Sequence, residues 1–257
     1  MPRSSHSSSR RRLQVVSGGR PSTRTLFVIP ARNEEASIGA LLDQLVPRVG
    51  PNVLVVSDAS GDDTAAVSRR HGARVLELPL QLGAWGATQA GLRFARRHGY
   101  RQVITLDADG QHEPLCIPDL QRAHRELGAD IVIGTFPQRL SRARKLAWHW
   151  FRLLSGLRVE DLTSGFRCYG SEAIDLLSSA EATLLDYQDV GVLLLARRHG
   201  LRVAETPVKM YPRRAGRSRV FESWLTVAGY MLQTTLLCVA RIGHFGGRGS
   251  RSYEAQV

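Results

Sequence analysis

The stretch Thr105-Leu106-Asp107-Ala108-Asp109-Gly110-Gln111-His112 ends an apolar run with two aspartates one residue apart and a glycine turn. A strand that closes this way brings both carboxylates toward its carboxyl end, where the turn redirects the second. Hard cations such as Mg²⁺ take one or two protein carboxylates and complete their shell with water and the phosphate oxygens of a substrate. That chemistry suits a nucleoside-diphosphate leaving group. Asp and Gly also favour ordinary solvated turns, so the Asp-x-Asp pair by itself leaves both readings open.

Around this stretch, short β-branched runs alternate with helical patterns from Thr25 onward. The strand candidates are residues 26–29, 53–57, 74–78, 102–106 and 130–134. The helix candidates are 34–45, 62–71, 84–98 and 114–127, each starting near a Gly, Pro or acidic residue. The βαβ rhythm predicts an α/β domain with a mostly parallel central sheet. In such sheets ligands lie beyond the carboxyl ends of the strands. Those ends carry Pro30-Ala31-Arg32-Asn33-Glu34-Glu35, Ser57-Asp58-Ala59-Ser60 and Asp107-Ala108-Asp109. Asp58 can accept from a ring N–H of a base or from a ribose hydroxyl. Ser60 and Asp62 suit a helix N-cap equally well, and Glu34 can cap a helix or hold a nucleoside.

At 257 residues, 43% hydrophobic and 23% charged, the chain has an ordinary globular composition, which excludes a collagen-like or wholly disordered protein. Its formal net charge is +12, but six arginines and no acid fall in residues 1–24, so half the excess belongs to that segment. It reads as a disordered basic tail. A basic surplus attracts nucleic acid, an anionic bilayer or a nucleotide, and does not choose among them. Cys116, Cys168 and Cys238 are odd in number and without metal-ligand or redox spacing, which points to a reducing compartment. Residues 1–24 lack an apolar run of secretory-signal length, so the expected location is cytoplasmic.

The second half changes character. Arg142, Arg144, Lys145 and Arg152 are mixed with Trp148, Trp150, Phe151 and Leu154. This segment is either an interfacial helix on anionic lipid or an amphipathic helix with its aromatics in the core. Residues 224–240 hold no charged side chain. The surrounding run, 220–242, sits at the lower limit of the about 20 residues that span a bilayer. Thr226, Gly229, Gln233, Thr234 and Thr235 dilute it, favouring an apolar helix packed on the domain or lying in the membrane interface. Tyr211-Pro212-Arg213-Arg214-Ala215-Gly216-Arg217-Ser218-Arg219 follows a strand-like run, 202–210. Guanidinium forks grip phosphate oxygens bidentately, so Arg214, Arg217 and Ser218 are candidates for closing over a diphosphate or a lipid phosphate. His112 either shapes its turn or adds a third metal ligand, and Trp85 packs in the core or stacks on a nucleoside.

Five motifs in order, 30–35, 58–64, Gly83-Ala84-Trp85-Gly86-Ala87, 107–112 and Asp161-Leu162-Thr163-Ser164-Gly165-Phe166-Arg167, resemble the family 2 glycosyltransferases over about residues 25–235. The likeness is to their dolichol-phosphate mannosyltransferase-like and bacterial polyprenyl-phosphate branch. The resemblance implies a GT-A (Rossmann-like) nucleotide-sugar-binding fold, a nucleotide-sugar donor, and inversion at the anomeric carbon. Carried over by position, Pro30, Arg32 and Glu34 line the nucleoside pocket and Asp58 meets the base. Asp107 and Ala108 face the donor, and Asp107, Asp109 and Gln111 hold Mg²⁺ or Mn²⁺. The chain departs from its relatives at Phe136, where they often carry arginine, and Arg139 is the nearest substitute cation.

An inverting transfer needs an acceptor oxygen on the opposite face of the sugar, with a carboxylate within reach if that oxygen is a hydroxyl. Asp186 and Asp189 are the candidates; they equally suit the first turn of the helix expected over 190–198. A phosphate acceptor is already ionised and needs little such help. The expected organisation is a basic tail (1–24), a glycosyltransferase domain (25–219), an apolar helix (220–243) and a flexible tail (244–257). The expected acceptor is a polyprenyl or dolichyl phosphate or an envelope glycan, and the expected place is the inner face of the cell membrane, held peripherally on anionic lipid. A nucleotidyltransferase that makes the activated sugar is the second enzyme reading. A nucleic-acid-binding protein is the non-enzyme reading, but no helix-turn-helix, zinc-finger or RNA-binding signature accompanies the basic tail, so no nucleic acid is expected among the partners.

Overall fold

The structure is a computed structural model that describes residues 24–136, 159–161, 164–185 and 190–210. The expectations for Arg139, Asp186, Asp189, Arg214, Arg217 and Ser218 lie outside the described residues. So do those for residues 1–23, the basic aromatic segment 139–158, the apolar helix 220–243 and the tail 244–257.

Seven strands form one sheet: β1 (Thr25–Ala31), β2 (Val53–Asp58), β3 (Arg74–Leu78), β4 (Gln102–Thr105), β5 (Ile131–Thr135), β6 (Arg167–Tyr169) and β7 (Val203–Pro207). Their order is β3-β2-β1-β4-β6-β5-β7. All neighbours are parallel except β6, which runs antiparallel to both β4 and β5. β2 is buried at every position and β1 at all but its Thr25 and Pro30, because helices cover both faces. That double burial explains why these strands are continuous β-branched runs without alternation.

On one face, α1 (Glu35–Val49) and α4 (Ile117–Leu127) pack Ile38, Leu41, Leu42, Leu45 and Leu120 against Phe27, Ile29, Val53 and Val55. The other face of the sheet presents Leu26, Val28, Leu54 and Val56. It is covered by α3 (Gly83–Arg97), α5 (Ser171–Leu177) and α7 (Val190–Arg198), with the short α6 (Ala180–Thr183) beside them. α2 (Thr64–Arg70) completes the run from β2 to β3. α3 lies so close to β1 that a Cβ on Gly91 would fall 2.3 Å from Val28 Cγ1. Trp85 is 3% exposed within this layer, and its Nε1–H donates to Ala182 O at 2.8 Å, in accord with the core reading.

After β3 at one edge, the chain returns through α3 to lay β4 on the far side of β1. The strand order reverses there, and the loops that follow β1 and β4 flank the crevice such a reversal opens. At the chain's first described residue, the Arg24 guanidinium lies 4.5 Å over the Tyr100 ring, and its carbonyl accepts from Arg101 N–H.

Candidate active site

The acidic turn after β4 is built from the backbone outward. Leu106 N–H still donates to Val28 O, so Asp107 is the first residue beyond the pairing with β1. Asp107 N–H donates to His112 Nδ1 at 2.9 Å, which closes the loop on itself. Asp109 Oδ1 accepts from Gln111 N–H at 3.0 Å, the local side-chain turn that Asp favours. Ala108, Asp109, Gln111 and His112 are all buried, whereas the Asp107 side chain keeps 36% of its surface exposed. Of the two aspartates, Asp107 is the one presented to solvent.

A second segment fixes that carboxylate from behind. Gly165 packs its α-carbon against Asp107, and the Thr105 hydroxyl donates to Gly165 O at 2.6 Å. Arg167, fully buried, donates from Nε to Ser164 O at 2.8 Å. Phe166 stacks on the His112 ring with centroids 5.1 Å apart. Ser164, Gly165, Phe166 and Arg167 belong to the 161–167 motif, but their local sequence points to no role for any of them. The only available signal was a small Ser-Gly pair immediately before a strand too short to show a pattern.

The loops after β1 and β2 are tied together. Asn33 N–H donates to Ser60 Oγ, and Asn33 Oδ1 accepts from Gly61 N–H. Glu34 N–H donates to Thr64 Oγ1 at 2.8 Å, and Glu35 N–H to Asp62 Oδ2 at 3.2 Å. Burial pushes the Asp62 carboxyl up, but the Thr64 hydroxyl and N–H and the Glu35 N–H donate to it and together hold it below its usual range. Two residues that are not glycine, Asn33 (φ 51°) and Ala59 (φ 48°), adopt left-handed backbone here. Asn visits that region readily, whereas for Ala it costs roughly 1–2 kcal/mol, which this network of bonds must offset.

Pro30, Arg32, Glu34, Asp58, Asp107, Ala108, Asp109 and Gln111 thus all fall at the carboxyl ends of three adjacent parallel strands. Glu34 stands at the N-cap position of α1, yet its side chain does not cap; Oε2 accepts from Ser37 Oγ at 2.6 Å. Asp58 is 3% exposed, and its carboxylate oxygens accept from Leu82 N–H (2.6 Å) and Gly83 N–H (2.9 Å) at the start of α3. Its first structural duty is therefore to hold the β3–α3 loop. Phe136 is half-buried against the core. Met210 pairs with His112 in an isolated antiparallel bridge, so the chain reaches the acidic turn one residue before the Tyr211–Arg219 segment begins.

Among the described residues, no group of three or more His, Cys, Asp or Glu side chains is placed to enclose a metal ion. The two aspartates and the glutamine amide of this turn carry oxygens of the kind Mg²⁺ and Mn²⁺ take when a substrate's phosphates supply the remaining ligands. Cys116 and Cys168 are buried free thiols, and burial pushes Cys168 up to about 12, against the opposing charge of Arg125. No helix among the described residues is long and apolar enough to cross a membrane.

Comparison with known proteins gives the same picture. Residues 26–174, more than half the chain, match Glycosyl transferase family 2. An undecaprenyl-phosphate mannosyltransferase of Micrococcus luteus is 33% identical over 218 residues, covering 77% of this chain and 87% of that protein. A polyprenol monophosphomannose synthase of Mycolicibacterium smegmatis is 29% identical over 225 residues, covering 78% and 82%. Among solved structures, glucosyl-3-phosphoglycerate synthase from Mycobacterium tuberculosis, in complex with Mn²⁺, UDP-glucose and phosphoglyceric acid, superposes with a TM-score of 0.65 at 24% identity, covering 85% of this chain and 80% of that one. The last likeness concerns the fold alone and meets the GT-A expectation. The chain belongs to glycosyl transferase family 2 and is a glycosyltransferase.

Proposed function

We propose that this glycosyltransferase moves a sugar from a nucleotide-sugar donor to a polyprenyl phosphate, at the crevice between the β1 and β4 loops, with Mg²⁺ or Mn²⁺ as cofactor. The observation that carries this reading is the partly exposed Asp107 carboxylate at the switch point, flanked by buried Asp109 and Gln111 and backed by Gly165. The acceptor class is supported by the names of the similar proteins, which act on undecaprenyl phosphate and polyprenol.

Asp107, Asp109 and Gln111 are the residues that would hold the cation, which when bound supplies Lewis-acid stabilisation of the charge developing on the diphosphate. The chain's own part is to place and to orient. Pro30, Arg32 and Glu34 border the nucleoside side of the crevice. Asp58 fixes the α3 loop at its floor, and any contact it makes to the base is additional to that. Arg139, Arg214, Arg217 and Ser218 are proposed to reach the diphosphate; the Met210–His112 bridge supports the last three by delivering the chain to the acidic turn.

In the transfer, an oxygen of the acceptor phosphate bonds to the anomeric carbon, the bond from that carbon to the donor diphosphate breaks, and the nucleoside diphosphate leaves with inverted configuration at the sugar. The acceptor phosphate is anionic at neutral pH, so the step needs no proton removed. Asp186 and Asp189 become general-base candidates only for a glycan hydroxyl. The enzyme is proposed to work peripherally on the anionic inner face of the cell membrane, through the basic aromatic segment 139–158 and the apolar run 220–242.

The test supplies labelled nucleotide sugars, Mn²⁺ and detergent-dispersed polyprenyl phosphate. The expected result is label extracted into organic solvent with one nucleoside diphosphate released per sugar. Label confined to water-soluble product overturns the acceptor assignment; in a parallel reaction with nucleoside triphosphate and labelled sugar 1-phosphate, formation of nucleotide sugar with release of inorganic diphosphate supports the nucleotidyltransferase reading instead.

A further inference from the structure

We propose that His112 is a positioning residue for Asp107, gripping it at both ends through the two nitrogens of one ring. The proposal rests on the reading of Asp107 as the donor-site carboxylate.

His112 Nδ1 accepts the Asp107 backbone N–H at 2.9 Å. A nitrogen that accepts carries no proton, so the neutral ring must hold its proton on Nε2. Nε2 is buried and has no hydrogen-bond partner, and Asp107 Oδ2 stands 3.5 Å away from it. A buried N–H left unpaired is costly, and a small rotation of the Asp107 side chain would bring its oxygen into the usual range of roughly 2.7–3.2 Å.

The ring cannot be the part that moves. Its side chain is wholly buried, one face lies on Phe166 with centroids 5.1 Å apart, and its backbone is bridged to Met210. The Asp107 side chain is 36% exposed and confined on another side by the Gly165 α-carbon. The carboxylate therefore sits between a fixed N–H and a fixed backbone. The same tautomer argument excludes His112 as a metal ligand, since neither nitrogen has a lone pair to give: Nδ1 has committed its own to the Asp107 amide and Nε2 carries the proton. His112 acts through Asp107.

His112→Asn keeps an acceptor near the Nδ1 position and deletes the donor at Nε2. His112→Gln keeps a donor near the Nε2 position and deletes Nδ1. The proposal expects His112→Asn to unfold near the wild-type temperature yet lose about 10–100-fold in kcat, as outer partners of a site carboxylate do when removed. His112→Gln should recover most of that loss even though its unfolding temperature falls further. If both variants lose activity in step with their unfolding temperatures, or if His112→Asn turns over like wild type, the ring serves only the fold and the proposal is wrong.

A second readout needs neither donor nor cation. In protein labelled with ¹⁵N at histidine, the His112 ring should show the proton on Nε2, and Asp107→Asn should shift that resonance. A proton found on Nδ1, or a resonance indifferent to Asp107→Asn, overturns the proposal. Should wild type transfer no sugar at all, the transfer reading fails, and these resonances still decide the role of His112.

Discussion

The α-carbon of Gly165 and the carboxylate of Asp107 are in direct contact: a Cβ built on Gly165 would lie 2.2 Å from Oδ1 and 2.8 Å from Cγ. The contact joins two distant parts of the chain, the turn after β4 and the entry to β6, and it closes one side of the carboxylate. Thr105 secures it by donating to Gly165 O at 2.6 Å. The antiparallel β6, inserted between β4 and β5, is what brings Gly165 there.

Gly165→Ala is accordingly expected to displace Asp107 and cut kcat/KM by roughly 10²-fold, the effect of an ångström's misplacement at a reacting site. The overpacking should cost about 1–3 kcal/mol of stability. Steady-state kinetics beside thermal unfolding measures both, and wild-type turnover in this variant would show that the contact does not set the carboxylate's position.

Asp58→Ala removes the acceptor for two N–H groups at the start of α3. A loss of about 1–3 kcal/mol is expected in a denaturant titration, with Asp58→Asn, which retains one carbonyl acceptor, falling between. An unchanged midpoint in Asp58→Ala would mean that water replaces the carboxylate without cost. Donor affinity in Asp58→Asn reads any contact to the base separately.

Trp85→Phe leaves Ala182 O without its Nε1–H donor in a site that is 3% exposed. The variant should lose about 1–2 kcal/mol of stability and keep its donor affinity. Weakened donor binding at unchanged stability would instead place the indole against the nucleoside.

Burial holds the Glu205 carboxyl above its usual range, with the charges of Glu160 and Asp161 adding to the effect and the N–H groups of the same two residues opposing it. A carboxyl raised in the folded state stabilises the fold fully below its unfolded value, near 4.5, and this contribution is lost as pH rises through the folded value. Glu205→Gln retains one acceptor for both N–H groups and carries no charge. Its unfolding temperature should therefore gain on wild type between pH 4 and pH 7. A gap that stays constant or narrows over that interval contradicts the account.

The central strands could be read from sequence because they are buried on both faces. The expected 53–57 stops one residue short of the end of β2, and at the half-exposed edge of the sheet the expected 74–78 coincides with β3. The helix expected over 190–198 coincides with α7. β6 was not expected: three residues, one a fully buried arginine, show no pattern, and pairing on both sides is what makes them a strand. α1 runs on to Val49 through Pro47, four residues beyond its expected end, and closes with Gly50 N–H on Val46 O. α2 begins at Thr64, because the Asp62 carboxylate stays outside the helix and accepts from Thr64 N–H.

The site divides in the same way. Acidic strand ends are legible because the alternation of strand and helix fixes which end of the sheet they occupy. What each carboxylate touches depends on segments distant in sequence. That Asp58 would hold Leu82 and Gly83, or that Gly165 would back Asp107, follows only from how α3 and β6 dock, which no local spacing encodes.

The account turns on Asp107 as the carboxylate that holds the cation and, through it, the donor diphosphate. Calorimetric titration of a nucleotide-sugar donor into wild type and Asp107→Asn, each with and without Mn²⁺, tests this most directly. The Mn²⁺-dependent part of donor affinity should fall roughly 100-fold or more in the variant, on the order of the 2–5 kcal/mol lost when one partner of a buried charge pair is removed, with thermal unfolding little changed. Equal Mn²⁺-dependent affinity in the two proteins would contradict it.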